Sequence, residues 1–382
     1  MKGTGRRGVR LIALVLPACA AFAAALAGCA SSPAISPSAV TQATTPPTAA
    51  ATSPAASRVS LSETGSTLLY PLFTLWAPGY SREFPQVTVT TAGTGSGEGI
   101  SLAASGAADI GASDAYLSPA NVSQTPTLEN IPLAISAQMV DYRLPGVTAN
   151  LDLTGTVLAE MYSGQITMWN DPRVQSLNPQ VPLPAIRVIP EHRSDSSGDT
   201  FLFTSYLSEQ DPRWSSSISY NTTVAWPTVS GSLAVKGNTG MVSGCQAHPG
   251  CVAYIGISYK SAATAAGLGE ARLWNGTGGY ELPTAATVGA AASSFLSIPA
   301  NGAISLINSK APDAYPIINY EYAIVNSRQP DSTKARDIQS LLYWAITTGN
   351  EGKYLSRVNF QPLNPVALAV SRSLIAKIGS VS

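Results

Sequence analysis

The chain has 382 residues, 45% hydrophobic and only 12% charged, with 22 cations balanced by 22 acids. That balance excludes a nucleic-acid binder held by general positive charge, and the length allows two lobes over a sizeable core. The first 28 residues hold four cations (Lys2, Arg6, Arg7, Arg10) and no acid, so the rest carries 18 cations against 22 acids, a net charge of −4. Any anion bound there must be held by local donors, because the overall field repels it.

The basic start leads into an apolar run over 11–28, too short and Ala-rich for a convincing spanning helix. The run ends in Leu26-Ala-Gly-Cys29, which resembles the lipobox of bacterial lipoproteins. That resemblance implies a lipoprotein signal peptide at 1–28, cleavage before Cys29 and acylation of its sulfur, with Cys19 leaving in the peptide. Residues 29–58 are almost only Ser, Pro, Ala and Thr. Such a tract cannot bury a core and reads as a disordered tether.

The folded part opens at 61–68 with a hydroxyl-rich Gly turn before a helical pattern, in which Leu72, Phe73, Trp76, Tyr80 and Phe84 share a face. A short strand over 86–91 runs into Gly93-Thr-Gly-Ser96-Gly-Glu-Gly99 and a further helix start at Ile100. This cluster is neither a dinucleotide fingerprint, since Glu98 replaces the last glycine, nor a Walker loop, since no Gly-Lys-Ser/Thr follows. What remains is a turn whose backbone can approach a small ligand closely. An apolar strand over 108–114 then ends in Asp114, at the carboxyl edge where open α/β sheets collect ligands.

Further along, 131–140 predicts a central strand, 157–167 a helix and 181–190 a Pro-interrupted strand. The stretch His192-Arg-Ser-Asp-Ser-Ser-Gly-Asp199 feeds a helical pattern over 201–210 and is a fourth polar corner. Free amides at a helix start, hydroxyl donors and the Arg193 fork together suit a tetrahedral oxyanion. Cys245 and Cys251 bracket a Pro-Gly turn; in an exported protein so close a pair reads as a disulfide. The flanks 238–243 and 252–258 read as strands, 260–268 and 286–295 as helices, 315–325 as a long β run and 332–347 as a helix. Strands alternate with helices throughout, an α/β class.

Chemistry can then be weighed. Only two His occur, His192 and His248, and none of the Ser discussed sits in a G-x-S-x-G elbow. Metal-ligand spacing is absent from the sequence, and no cofactor or metal is expected. Ser66, Thr67, Leu68, Ser96, Ser197 and Gly198 offer hydroxyls or helix-start amides, and Arg193 adds charge, whereas Asp114 and Asp199 only accept when ionised. A carboxylate facing an oxyanion is repulsive unless the anion carries a proton. Phosphate at neutral pH does and sulfate does not, so a buried carboxylate predicts rejection of sulfate.

The motifs at 63–68, 93–96, 110–114, 192–199 and 315–322 together resemble the extracytoplasmic phosphate-binding proteins of Pst ABC importers, most closely the lipid-anchored mycobacterial type with its short cysteine loop. The resemblance implies a two-lobed periplasmic binding protein of class II type, with two crossing segments and a cleft between the lobes. It implies lobe I at 59–138 plus 319–382, lobe II at 139–318, and crossings near 138–141 and 317–320. Inorganic phosphate would meet Ser66, Thr67, Leu68, Ser96, Asp114, Arg193, Ser197, Gly198 and Asp199. Its partners would be the permease and ATPase subunits of an importer at the outer face of the cell membrane, which the chain touches through its lipid anchor alone. Two departures stand out: Asp199 replaces the Thr of enterobacterial members, and Ser196 replaces a Gly, which predicts strain if that position needs a positive φ. A secreted phosphoester hydrolase and a surface adhesin are the alternative readings.

Overall fold

The computed structural model describes residues 58–380; the signal peptide, Cys19, Cys29 and nearly all of the tether lie outside them. The first three strands, β1 (Val59–Gly65), β2 (Val87–Gly93) and β3 (Ile110–Ser113), are parallel and alternate with α1 (Tyr70–Glu83) and α2 (Ser96–Ser105). Next comes β4 (Leu128–Tyr142), then α3 (Gly155–Tyr162), β5 (Ile189–Arg193), α4 (Gly198–Gln210), β6 (Leu233–Val235), α5 (Gly237–Ala247) and β7 (Cys251–Gly256). The chain returns through β8 (Ile318–Asn326) to finish with α6 (Ser332–Ala345) and α7 (Pro365–Ile375).

The strand order is β2-β1-β3-β8-β4-β7-β5-β6. Two parallel groups, β2-β1-β3 and β7-β5-β6, are joined through antiparallel β8 and β4. Strand β4 belongs to both halves: 128–137 pairs with β8, and from Gln138 onward it pairs with β7. Its fifteen residues are nearly all buried, hence the almost continuous apolar run in the sequence. The result is the two-lobed α/β architecture of periplasmic binding proteins, with the carboxyl ends of both parallel groups facing one interface.

Amphipathic patterning explains the helices. Leu72, Phe73, Trp76 and Tyr80 of α1 are buried, as are Ile338, Leu341, Leu342 and Ala345 of α6. Asp331 caps α6 by accepting from the amides of Thr333 and Lys334. Two expected strands change. Residues 238–243 are helical, because Met241, Val242 and Cys245 bury one face of α5, and the positive φ of Gly237 (68°) turns the chain into that helix. In 181–190 only the last two residues enter β5; Pro182 and Pro184 lack the N–H that a ladder needs. Helix α3 stops at Tyr162, two residues before the positive-φ Gly164, short of the 167 expected. Cys245 and Cys251 form a disulfide that ties α5 to β7.

Trp76 is fully buried, meets Phe73 edge-on at 5.2 Å and donates its indole N–H to the Gly349 carbonyl at 2.9 Å. Trp76→Ala is expected to destabilise the chain by about 3–5 kcal/mol in urea unfolding. A loss under about 1 kcal/mol, the size of a surface change, would contradict this packing.

Candidate functional site

The polar corners expected from the sequence come together at the carboxyl ends of the strands. Ser66, just past β1, donates its hydroxyl to Asp114 Oδ1, which lies just past β3. Ser66 also accepts from the Leu69 amide at 2.9 Å, which pins the turn into α1. Ser96, the first residue of α2, donates to Asp114 Oδ2 at 3.3 Å. Asp114 is 2% exposed, so its carboxylate depends on these hydroxyls in place of water. Burial first, then the negative charge of Asp199, pushes its pKa up to about 7, against the opposing pull of hydrogen bonds and Arg193.

The opposite wall is built on Arg193 at the end of β5. Its Nη1 donates to Asp199 Oδ2 at 2.6 Å, its Nε to Asp195 Oδ1 at 2.7 Å, and its Nη2 to Asp195 Oδ2. The fork is therefore split between two carboxylates of the same corner. The Arg193 amide donates to the Tyr254 hydroxyl at 2.9 Å, and that hydroxyl shares a hydrogen bond with Thr200 at 2.8 Å. Ser197 caps α4 by accepting from the Thr200 amide, and its own amide donates to Thr222, so its hydroxyl hydrogen is the donor it retains. Gly198 and Asp199 supply first-turn amides, which no intrahelical carbonyl satisfies.

Two residues that the sequence did not single out complete this wall. Asn238 Nδ2 donates to Asp199 Oδ2 at 2.8 Å and reaches Thr67 Oγ1 at 3.0 Å. Gln138 Nε2 donates to the Asp199 carbonyl at 2.9 Å and lies 3.3 Å from Oδ1. Asp199 thus has Arg193, Asn238 and Gln138 around a single carboxylate. Asn238 follows a glycine at a helix start, the same corner signal that marked the other four; the strand expectation at 238–243 hid it.

The two walls touch. The Gly97 amide donates to the Ser196 carbonyl at 3.1 Å, and Ser258 Oγ donates to the Leu68 carbonyl at 2.7 Å. Thr67 is buried under Asn238, and the Leu68 side chain is buried against Gly256. Gly198 packs on Asp114 and Ser96, and a Cβ there would overlap both side chains. An open cleft of about 370 Å³ lined by Tyr116, Phe201 and Tyr220 lies outside the Gly97–Ser196 contact. Ser196 keeps a negative φ, so the strain expected from the missing glycine does not occur.

All nine of the expected ligand residues meet at this interface, and His192 does not join them. Its ring stacks on Trp226 at 4.7 Å, its Nδ1 faces the Arg193 carbonyl, and burial lowers its pKa. No described contact puts a serine hydroxyl on it, as a hydrolase would need. Glu191 lies against the disulfide at 3.1 Å from Cys251 Sγ, but joined sulfurs offer no thiolate to a metal.

A family model described as a PBP superfamily domain matches residues 41–347. The phosphate-binding protein PstS of Methanocaldococcus jannaschii is 31% identical over 320 residues, which covers 78% of this chain and 82% of that protein. The phosphate-binding protein PstS3 of Mycobacterium bovis is 28% identical over 77% of this chain and 80% of its own length. Among solved structures, a phosphate-binding protein from Stenotrophomonas maltophilia superposes with a TM-score of 0.62 at 19% identity, covering 82% of this chain and 93% of that one.

Gly198→Ala is expected to force the walls apart. Overpacking of this kind costs about 1–3 kcal/mol, so solution scattering should report a more extended particle than the parent. An unchanged scattering profile would count against close contact at Gly198.

Proposed function

Since the chain belongs to the PstS family of phosphate-binding proteins within the PBP superfamily, we propose that its interface site captures inorganic phosphate outside the membrane for delivery to an ABC importer. The observation that carries this reading is the pairing of hydroxyl-held Asp114 with the Arg193 wall, all buried and contributed from two sides. Ser66, Thr67, Leu68, Ser96 and Asp114 would contact the anion from one lobe; Arg193, Ser197, Gly198 and Asp199 would contact it from the other.

Charge favours a protonated anion. Arg193 supplies one positive charge against the carboxylates of Asp195 and Asp199, with Asp114 opposite. An incoming oxyanion therefore gains little from net charge and much from directed donors. Asp114 asks for a hydrogen from the ligand, which HPO₄²⁻ and H₂PO₄⁻ supply and sulfate cannot. The Asp199 carboxylate is already surrounded by three donors, so it would hold and orient Arg193, and Asp199 would meet the anion through its first-turn amide.

The lobes would divide at 59–138 plus 319–382 and 139–318. In support, β4 changes partners between Ala137 and Gln138, and the returning crossing enters β8 at Ile318. The permease and ATPase subunits are the expected partners. Residues 1–28 as signal peptide, 29–58 as tether and Cys29 as the acylated anchor rest on sequence pattern alone. Among the described residues no helix is long and apolar enough to cross a membrane. The chain is read as a binding protein and not as an enzyme on the strength of its phosphate-binding relatives.

Calorimetric titration of the full chain tests the reading. Phosphate should bind, and sulfate should bind roughly 10⁴-fold more weakly, the scale set by an unsatisfied buried polar group. Asp114→Asn should narrow that gap, and Arg193→Ala should weaken phosphate by roughly 10- to 100-fold, the worth of a charged hydrogen bond. Failure to bind phosphate, or equal affinity for sulfate, would sink it.

A further inference from the structure

Resting on the phosphate reading above, we propose that Glu321 keeps the single proton of a shared Asp114–Glu321 carboxyl pair, so that Asp114 stays the ionised acceptor that selects a protonated anion. Glu321 is fully buried on β8. In the antiparallel register of β8 with β3, Tyr322 lies opposite Ser113, the last residue of β3, and Glu321 and Asp114 are each one residue beyond that pair. Asn319 Nδ2 links the two residues, at 3.1 Å from Glu321 Oε1 and 3.4 Å from the Asp114 carbonyl, and each carboxyl shifts the titration of the other. The register of β8 against β4 shifts between Glu321 and Tyr322, a bulge of the kind that re-aims a side chain beside a site.

A count of hydrogens assigns the proton. Glu321 Oε1 lies 2.5 Å from Ser136 Oγ and 3.1 Å from Asn319 Nδ2. Ser136 Oγ is also 2.6 Å from Asn319 Oδ1. The Asn319 amide cannot be turned round, because its Nδ2 already faces the Tyr320 carbonyl at 2.8 Å and the Asp114 carbonyl at 3.4 Å. Ser136 therefore has one hydrogen and two close acceptors, while Glu321 Oε2 has no hydrogen-bond partner among the described residues. The cluster is short of hydrogens unless the carboxyl pair carries one.

Surroundings decide which member holds it. Asp114 receives two hydroxyls and feels Arg193, all of which favour its charge. Glu321 is faced by Asp114 from β3, by Ser136 from β4 and by Asn319 on its own strand, and the Tyr322 phenol senses its charge. Arg193 and Asp199 act on the pair through Asp114. Burial and the neighbouring Asp114 charge both raise Glu321 well above the usual range. A neutral Glu321 lets Asp114 be ionised; an ionised one would set two adjacent carboxylates against the anion.

Asp114 and Glu321 lie on neighbouring strands, so the pair can be read without ligand. Because burial also raises the pKa of Glu63, Glu191 and Asp141, the readout is a difference: infrared spectra of the ligand-free full chain at neutral pH should show a protonated-carboxyl component in parent minus Glu321→Gln that Asp114→Asn retains. In titrations, Glu321→Gln, a permanent mimic of the neutral acid, should bind phosphate within about threefold of the parent at neutral pH and keep its rejection of sulfate. As pH rises past the point where Glu321 ionises, the parent should lose affinity relative to Glu321→Gln by up to tenfold per pH unit. Glu321→Ala should lose sulfate discrimination by about tenfold or more, and if it fails to fold the Gln variant still decides. A parent-minus-Glu321→Gln difference with no protonated-carboxyl component, or pH profiles that superimpose, would overturn the assignment to Glu321. A parent that binds no phosphate would overturn the phosphate reading and with it the selective role, while the band would still report where the proton lies.

Discussion

Carboxyl groups outnumber cations at the centre of this molecule, and the surrounding structure answers that imbalance. Asp195 and Asp199 pair with one guanidinium, Arg193, whose charge Asp114 also feels, and Glu321 lies beyond Asp114. Buried charge is tolerated only when paired or supplied with donors. The hydroxyls of Ser66 and Ser96, the amides of Asn238 and Gln138 and the Ser136–Asn319 network therefore serve first as solvation for acids. Their placement requires strand ends from both parallel groups, which is why the site forms where the two groups face each other. On the proposed reading, specificity would follow from an acceptor excess that a proton-bearing ligand relieves.

This also explains why the basic appearance of an anion receptor is missing from the composition. A chain that captured anions by general attraction would show a positive surplus; this one carries 22 cations and 22 acids, four of those cations within the first 28 residues. Local geometry takes the place of field. The cost is that each donor must be held in position, hence the helix starts at Ser66–Leu69, Ser96, Ser197 and Gly237. Helix-start amides hold their direction through backbone hydrogen bonds, without the entropy loss of a long side chain.

Much of this was readable in the residues because corners of Gly, Ser and Thr between a strand and a helix leave a local signature. Arg193, Asp195 and Asp199 fall within seven positions, so their pairing is local too. Gln138 and Glu321 were not legible, since each sits inside a β-prone run and gains meaning only from what the fold brings opposite it. A usable signal did exist: a polar group in a strand with no exposed face must find a partner. Asn238 was lost because the Gly- and Ser-rich stretch after it has little helical propensity, and only burial of Met241, Val242 and Cys245 made it a helix. The lone prolines of 181–190 broke a strand that the apolar residues alone would have supported.

Strand β4 is a single uninterrupted beam shared by both halves of the sheet, and Gln138 stands where its pairing changes. The side chain of that residue grips the backbone and carboxylate of Asp199. Torsion of the beam at that point is thus geared to the acid that steadies Arg193. A rotation of one half against the other at this point would therefore be felt by the guanidinium through Asp199.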